Sequence, residues 1–125
     1  MNKTPRRVAV VGASDNPERY ACRALVLLQE HGHIVLPVSP KPLQLPGLIT
    51  YPDLPSTPPP IDTVTLYVNP RLLETLADGI IAAKPRRVIF NPGTEHPDLA
   101  RRFREAGIET MEACTLVLLS TGQFG

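Results

Sequence analysis

Apolar residues in this chain fall into short runs that alternate with helically spaced ones, and the alternation predicts strands and helices in turn. Arg7-Val8-Ala9-Val10-Val11 is continuous rather than alternating, as in parallel strands buried on both faces, and it stops at Gly12. From Glu18 to His31 the spacing of Ala21, Leu25 and Leu28 predicts a helix, with Gly32 placed to end it. Ile34 to Val38 reads as a second strand, and its Pro37 implies pairing on one side only or an exit from the sheet. Residues 39–60 are proline-rich and irregular, a surface connection with room for one short segment near Leu48-Ile49-Thr50. Thr63 to Val68 is a third strand, and Pro70 stands at the start of a helix over 71–84 that turns Leu73, Leu76, Ile80 and Ala83 inward. Val88 to Phe90 is a fourth strand, 97–106 a short helix with Leu99 and Phe103 inward and Gly107 as its stop, and Ile108 to Met111 a fifth strand. Thr115 to Ser120 is apolar and fits either helix or strand.

This order predicts an α/β, Rossmann-like three-layer domain: a mainly parallel five-stranded sheet in the order 2-1-3-4-5, helices on both faces, and one domain over residues 1–125. In such sheets ligands bind at the carboxyl ends of the strands, where the strand order reverses. Four loops meet there: Gly12 to Arg19, Ser39 to Lys41, Val68 to Arg71, and Asn91 to Thr94.

Composition narrows the functions available. A net charge of +1 gives no field to draw in nucleic acid or a membrane surface, and 5% aromatic residues without tryptophan argue against a base-stacking platform. No apolar stretch approaches the ~18 residues of a membrane span. Cys22 and Cys114 form no CxxC pair, and two free thiols fit a cytoplasmic protein. The histidines His31, His33 and His96 make no metal pattern, and no catalytic constellation is readable.

The candidate chemistry lies in the loops. Gly12-Ala13-Ser14 follows a buried strand, and a glycine there lets backbone amides approach a ligand while the next helix start favours phosphate. The full G-x-G-x-x-G is absent, so a plain strand-to-helix turn is the competing reading. Where NAD-binding folds place an acid for the ribose hydroxyls, this chain has Val38-Ser39-Pro40-Lys41. A cation there disfavours NAD and suits an extra ribose phosphate, as in NADP or coenzyme A; an ordinary surface lysine is the alternative. Arg19 opposes the helix dipole unless a phosphate or solvent meets it. Asn69-Pro70 and Asn91-Pro92-Gly93 end neighbouring strands and shape a pocket wall, or simply turn the chain.

VAVVGASDNPERYACRAL, VLPVSPK, VTLYVNP, VIFNPGTEHPDLARRFREAGI and EACTLVLL, in that order, resemble the single-domain CoA-binding proteins, relatives of the CoA-binding domain of succinyl-CoA synthetase alpha subunits. The similarity runs from Arg7 to Leu119. It implies coenzyme A or an acyl-CoA as a small-molecule ligand, with a phosphate loop at Gly12, Ala13 and Ser14. It further implies a basic residue at Arg19, a lysine after the second strand at Lys41 beside Ser39, and an adenine-side segment at Val68, Asn69 and Pro70. Asn91 and Gly93 complete the candidate site, and Cys114 matches a cysteine after the last strand. Many relatives have Pro-Val-Asn-Pro where residues 37–40 read Pro-Val-Ser-Pro. The synthetase acts through a phosphohistidine on a further domain, so the resemblance implies binding without thioester formation. An NADP-binding oxidoreductase-like domain, or an interaction domain that has lost its ligand, remain the alternatives.

Overall fold

The computed structural model describes residues 4–125 and places β1 (Arg7–Val11), β2 (Ile34–Val38), β3 (Thr63–Leu66), β4 (Arg87–Phe90) and β5 (Glu109–Glu112) in one sheet. Its order is β2-β1-β3-β4-β5, and every neighbouring pair is parallel. This is the Rossmann-like α/β arrangement that the alternation of elements implies. Val8 and Val10 point to one face of β1, and Ala9 and Val11 to the other. Both faces are covered, which is why the run carries no polar alternation.

Two helices cover each face. On one side α2 (Pro70–Ala83) and α3 (Pro97–Glu105) bury Leu73, Ala77, Ile80, Leu99 and Phe103. On the other, α1 (Tyr20–Glu30) and α4 (Thr115–Ser120) bury Leu25, Leu28, Leu118 and Leu119. Each fully buried leucine contributes about 1.5–3 kcal/mol, so these faces fix which side each helix takes. The undecided stretch at 115–120 is therefore a helix. At six residues its pattern fits either period, and the decision comes from partners: the Thr115 N–H donates to Asn91 Oδ1 at 2.9 Å.

Several boundaries differ from the sequence expectation. α1 begins at Tyr20 rather than Glu18, because Asn16 organises a turn first: its side chain accepts the Glu18 N–H (3.0 Å) and its carbonyl the Arg19 N–H (2.9 Å). β3 ends at Leu66, so Tyr67 and Val68 leave the sheet. Asn69 caps α2, accepting the Leu72 N–H at 2.8 Å, with Pro70 in the first turn. In the proline-rich connection the ordered pieces are a 3-10 turn at Leu54–Ser56 and a bridge between Tyr51 and Val38, not a segment at Leu48-Ile49-Thr50. The Tyr51 N–H donates to the Pro37 carbonyl (2.8 Å) and its carbonyl accepts from Ser39 (2.9 Å). The outer side of edge strand β2 is thereby blunted.

At the amino ends of the strands Asp62 lies between Arg6 (3.5 Å) and Arg86 (3.0 Å). His33 is buried: its Nδ1 accepts the Arg6 N–H at 3.0 Å and its ring lies 4.9 Å from that of Phe124. Among the described residues no cluster of His, Cys, Asp or Glu is arranged to hold a metal ion.

Candidate functional site

Gly12 is where the site is built. It follows β1 with φ +86°, a conformation glycine adopts at little cost. A Cβ at this position would sit 2.5 Å from the Tyr67 carbonyl oxygen and 3.0 Å from Val68 Cγ1. The glycine thus lets the ends of β1 and β3 close on one another. The amides of Gly12 and Ala13 both donate to the Val38 carbonyl, each at 3.1 Å. Those two amides thus clamp β1 to β2 at the loop where the sequence leads one to expect a phosphate.

The outward-facing donors lie further along. Ser14 Oγ accepts the Asn16 N–H at 3.0 Å, tightening the loop, and Asp15 accepts the Gln44 N–H at 2.9 Å, tying it to the connection after β2. The first turn of α1 has neither a side-chain cap nor an acidic residue. The amides of Tyr20, Ala21 and Cys22 therefore have no partner inside the helix, and the dipole adds partial positive charge. Tyr20 and Ala21 border a cavity of about 490 Å³ that is also bounded by Gly12, Ser14, Glu18, Arg19 and Tyr67. The exposed Arg19 guanidinium and Lys41 ammonium form no ion pair among the described residues. A helix end, an unpaired cation and a concave wall together suit an anionic group.

A second cleft, about 450 Å³ and mostly apolar, shares Gly12 with the first. Its walls are the strand ends at Val11 and Val38, then Pro40, Val68, Leu72 on α2, and the 3-10 turn around Leu54. Lys41 follows Pro40 in sequence, and its N–H donates to Ser39 Oγ at 3.2 Å, which makes the buried Ser39 a turn-former. The arrangement pairs a polar pocket with an apolar slot across one glycine.

Asn91 is buried, and its side chain is spent internally. Nδ2 donates to Thr65 Oγ1 (2.7 Å) and the Leu66 carbonyl (2.8 Å), and Oδ1 accepts from Thr115. It therefore pins β3, β4 and α4 beneath the site. Gly93 is exposed, its N–H donating to Glu95 Oε1 at 2.9 Å. Asn69 and Pro70 serve the start of α2, and Cys114 is half-buried at the start of α4.

Sequence reasoning missed Tyr67, which it absorbed into the third strand. It bounds the polar cavity, and its hydroxyl is buried without a hydrogen-bond partner among the described residues. The nearby hydroxyls of Thr65 and Thr115 bond to each other at 2.8 Å. Burial pushes the phenol up to about 12, so it is a neutral donor at any ordinary pH. Its place, one residue past the central strand at the switch point, is the signal that marks it. Also missed were Leu54 and its neighbours, read as mere surface connection.

A sequence model for a family described as "CoA binding domain" matches residues 6–120. A crystal structure described as that of an uncharacterized protein superposes with a TM-score of 0.88 at 38% identity, covering 98% of this chain and 100% of the other. A hypothetical protein from Pyrococcus horikoshii OT3 gives a TM-score of 0.87 at 30% identity, over 97% of this chain and 85% of that one. A dinucleotide forming acetyl-coenzyme A synthetase 1 from Ca. Korarchaeum cryptofilum, in complex with phosphate and ADP, gives 0.75 at 25% identity, over 87% of this chain but 26% of that one.

Proposed function

The chain belongs to the CoA-binding domain family, and on that premise we propose that it holds coenzyme A or an acyl-CoA across the carboxyl ends of its strands. The observation that carries the reading is the pair of cavities meeting at Gly12, one anion-suited and one apolar. The diphosphate lies against the open end of α1, where the amides of Tyr20 and Ala21 and the Arg19 guanidinium receive it. Adenine occupies the apolar slot between Pro40, Val68 and Leu72, with Leu54 beneath. Lys41, next to Pro40, meets the ribose 3′-phosphate. The pantetheine arm runs past Tyr67 towards Gly93 and Cys114. That a protein sharing this fold over 26% of its length is described as an acetyl-coenzyme A synthetase supports the same ligand class.

The role is holding CoA rather than converting it. Glu18, Arg19 and Tyr67 border the polar cavity, and the family description, a CoA-binding domain, names binding alone. NADP is the competing ligand, because Lys41 suits a 2′-phosphate as well as a 3′-phosphate.

Thermal unfolding with CoA, dephospho-CoA, NADP and NAD separates these. A ligand at ~100 times its dissociation constant stabilises by ~2.7 kcal/mol. CoA gives the largest shift, dephospho-CoA less, and NAD little; a larger shift with NADP or NAD than with CoA overturns the reading.

A further inference from the structure

The α1–α4 surface, which meets the Gly12–Arg19 loop only at Pro17, carries two charges without ion-pair partners among the described residues. α1 and α4 flank a shallow groove of about 390 Å³ floored by Cys22, Leu27 and Leu116. Val26, at the groove on α1, is 51% exposed, and Val117, on α4 next to the groove residue Leu116 in sequence, is 55% exposed. Arg23 and Glu30, both at the groove's edge, bracket this apolar strip. Neither forms an ion pair among the described residues. Arg23 lies 5.6 Å over the exposed Tyr20 ring and makes only a long 3.5 Å contact with the Pro17 carbonyl, so its charge is uncompensated.

The spacing is self-complementary. Arg23 and Glu30 are two helical turns apart, ~10 Å along one face, and Val26 and Leu27 lie between them. Two copies of α1 laid antiparallel, with a two-fold axis passing between Val26 and Leu27, bring each Arg23 against the partner's Glu30. In a two-fold contact every such pair occurs twice. The same arrangement opposes the two helix dipoles and covers the exposed Val26.

We propose that the α1–α4 face is where two copies of this chain associate, antiparallel, with Arg23 of each paired to Glu30 of the other. The occupant is a second copy because the charges complement themselves across a two-fold axis, which an unrelated partner has no reason to match. The strip is short, so the dimer is a weak one that forms reversibly with concentration. It is independent of the CoA reading, since no ligand takes part.

Sedimentation equilibrium over a concentration series reaching about 1 mM, the millimolar range of weak association, tests it. Wild type dimerises, less so in high salt. Arg23→Glu or Glu30→Arg alone puts like charges together twice and raises the dissociation constant by at least about tenfold. An equimolar mixture of those two variants restores association, because one subunit then carries an acid at both positions and the other a base at both. The double variant Arg23→Glu/Glu30→Arg is restored by itself. Both sites are on the surface, and circular dichroism confirms that each variant is folded. A monomeric wild type throughout the series overturns the proposal and leaves this face to some other partner. Single variants that associate as well as wild type, or a mixture that does not recover, overturn it too.

Discussion

Gly12→Ala probes the junction on which the site depends. Two costs arise. The first is conformational: φ is +86°, and an alanine there is disfavoured by ~1–2 kcal/mol. The second is collision: the new Cβ lies 2.5 Å from the Tyr67 carbonyl oxygen, 2.8 Å from its carbon and 3.0 Å from Val68 Cγ1. Two of these atoms are backbone, and the Tyr67 N–H is tied to the Val11 carbonyl at 2.8 Å, so the chain cannot yield cheaply. Forcing an extra group into packed surroundings costs ~1–3 kcal/mol. Gly107→Ala is the internal control: its φ is also +86°, but nothing lies within 4 Å of its Cβ. The difference between the two variants therefore isolates the collision. For a domain near this size each kcal/mol lowers the melting temperature by roughly 3–5 °C. Gly12→Ala is expected to melt about 3–15 °C below Gly107→Ala by circular dichroism. If it melts no lower, the close approach of β1 and β3 is not what requires glycine here. The experiment also warns against scoring Gly12 variants by ligand affinity alone, since they deform the site before any ligand arrives.

Lys41→Ala is expected to weaken CoA by ~1–3 kcal/mol in calorimetry while barely changing dephospho-CoA, as a charge-assisted contact to the 3′-phosphate requires; equal losses with both ligands would move Lys41 elsewhere. Alkylation of the half-buried Cys114 should slow under saturating CoA while the buried Cys22 stays unreactive throughout; peptide mapping that shows Cys114 equally reactive with and without CoA refutes the pantetheine path. Burial, then the nearby charges of His31, Arg6 and Arg87, push His33 below its ordinary 6.5, with Asp62 opposing. The neutral form is thus favoured by folding, so its contribution is complete above pH 6.5 and is lost as pH falls through the lower folded value. Urea unfolding of wild type and His33→Asn should show that acid slope reduced in the variant; an unchanged slope refutes the assignment.

The sheet was legible because its strands are buried on both faces. Val8 to Val11 and Thr63 to Leu66 are apolar or β-branched at every position, which only a covered parallel sheet explains. Short elements were harder. Thr115 to Ser120 takes its helical state from the Asn91 side chain, a contact 24 residues away that no local pattern contains. The candidate site could be read from the sequence as a place in the fold and less so as a set of contacts. Sequence order brings Gly12, Arg19, Lys41 and Val68 to one edge, but it cannot tell which amides are consumed internally. Gly12 and Ala13 donate to Val38 because β2 ends beside them, and that depends on register. Tyr67 was hidden because a residue one step beyond a strand looks, in sequence, like the strand itself.

Amide chemical-shift mapping during titration with CoA tests the central claim most directly. The account predicts that the perturbed amides cluster at the carboxyl edge of the sheet: in residues 14–22, near Ser39 and Lys41, at 67–72, and around Gly93. Saturating CoA that leaves these signals unmoved, or that perturbs instead the opposite edge around Arg6, Asp62 and Arg86, would contradict it.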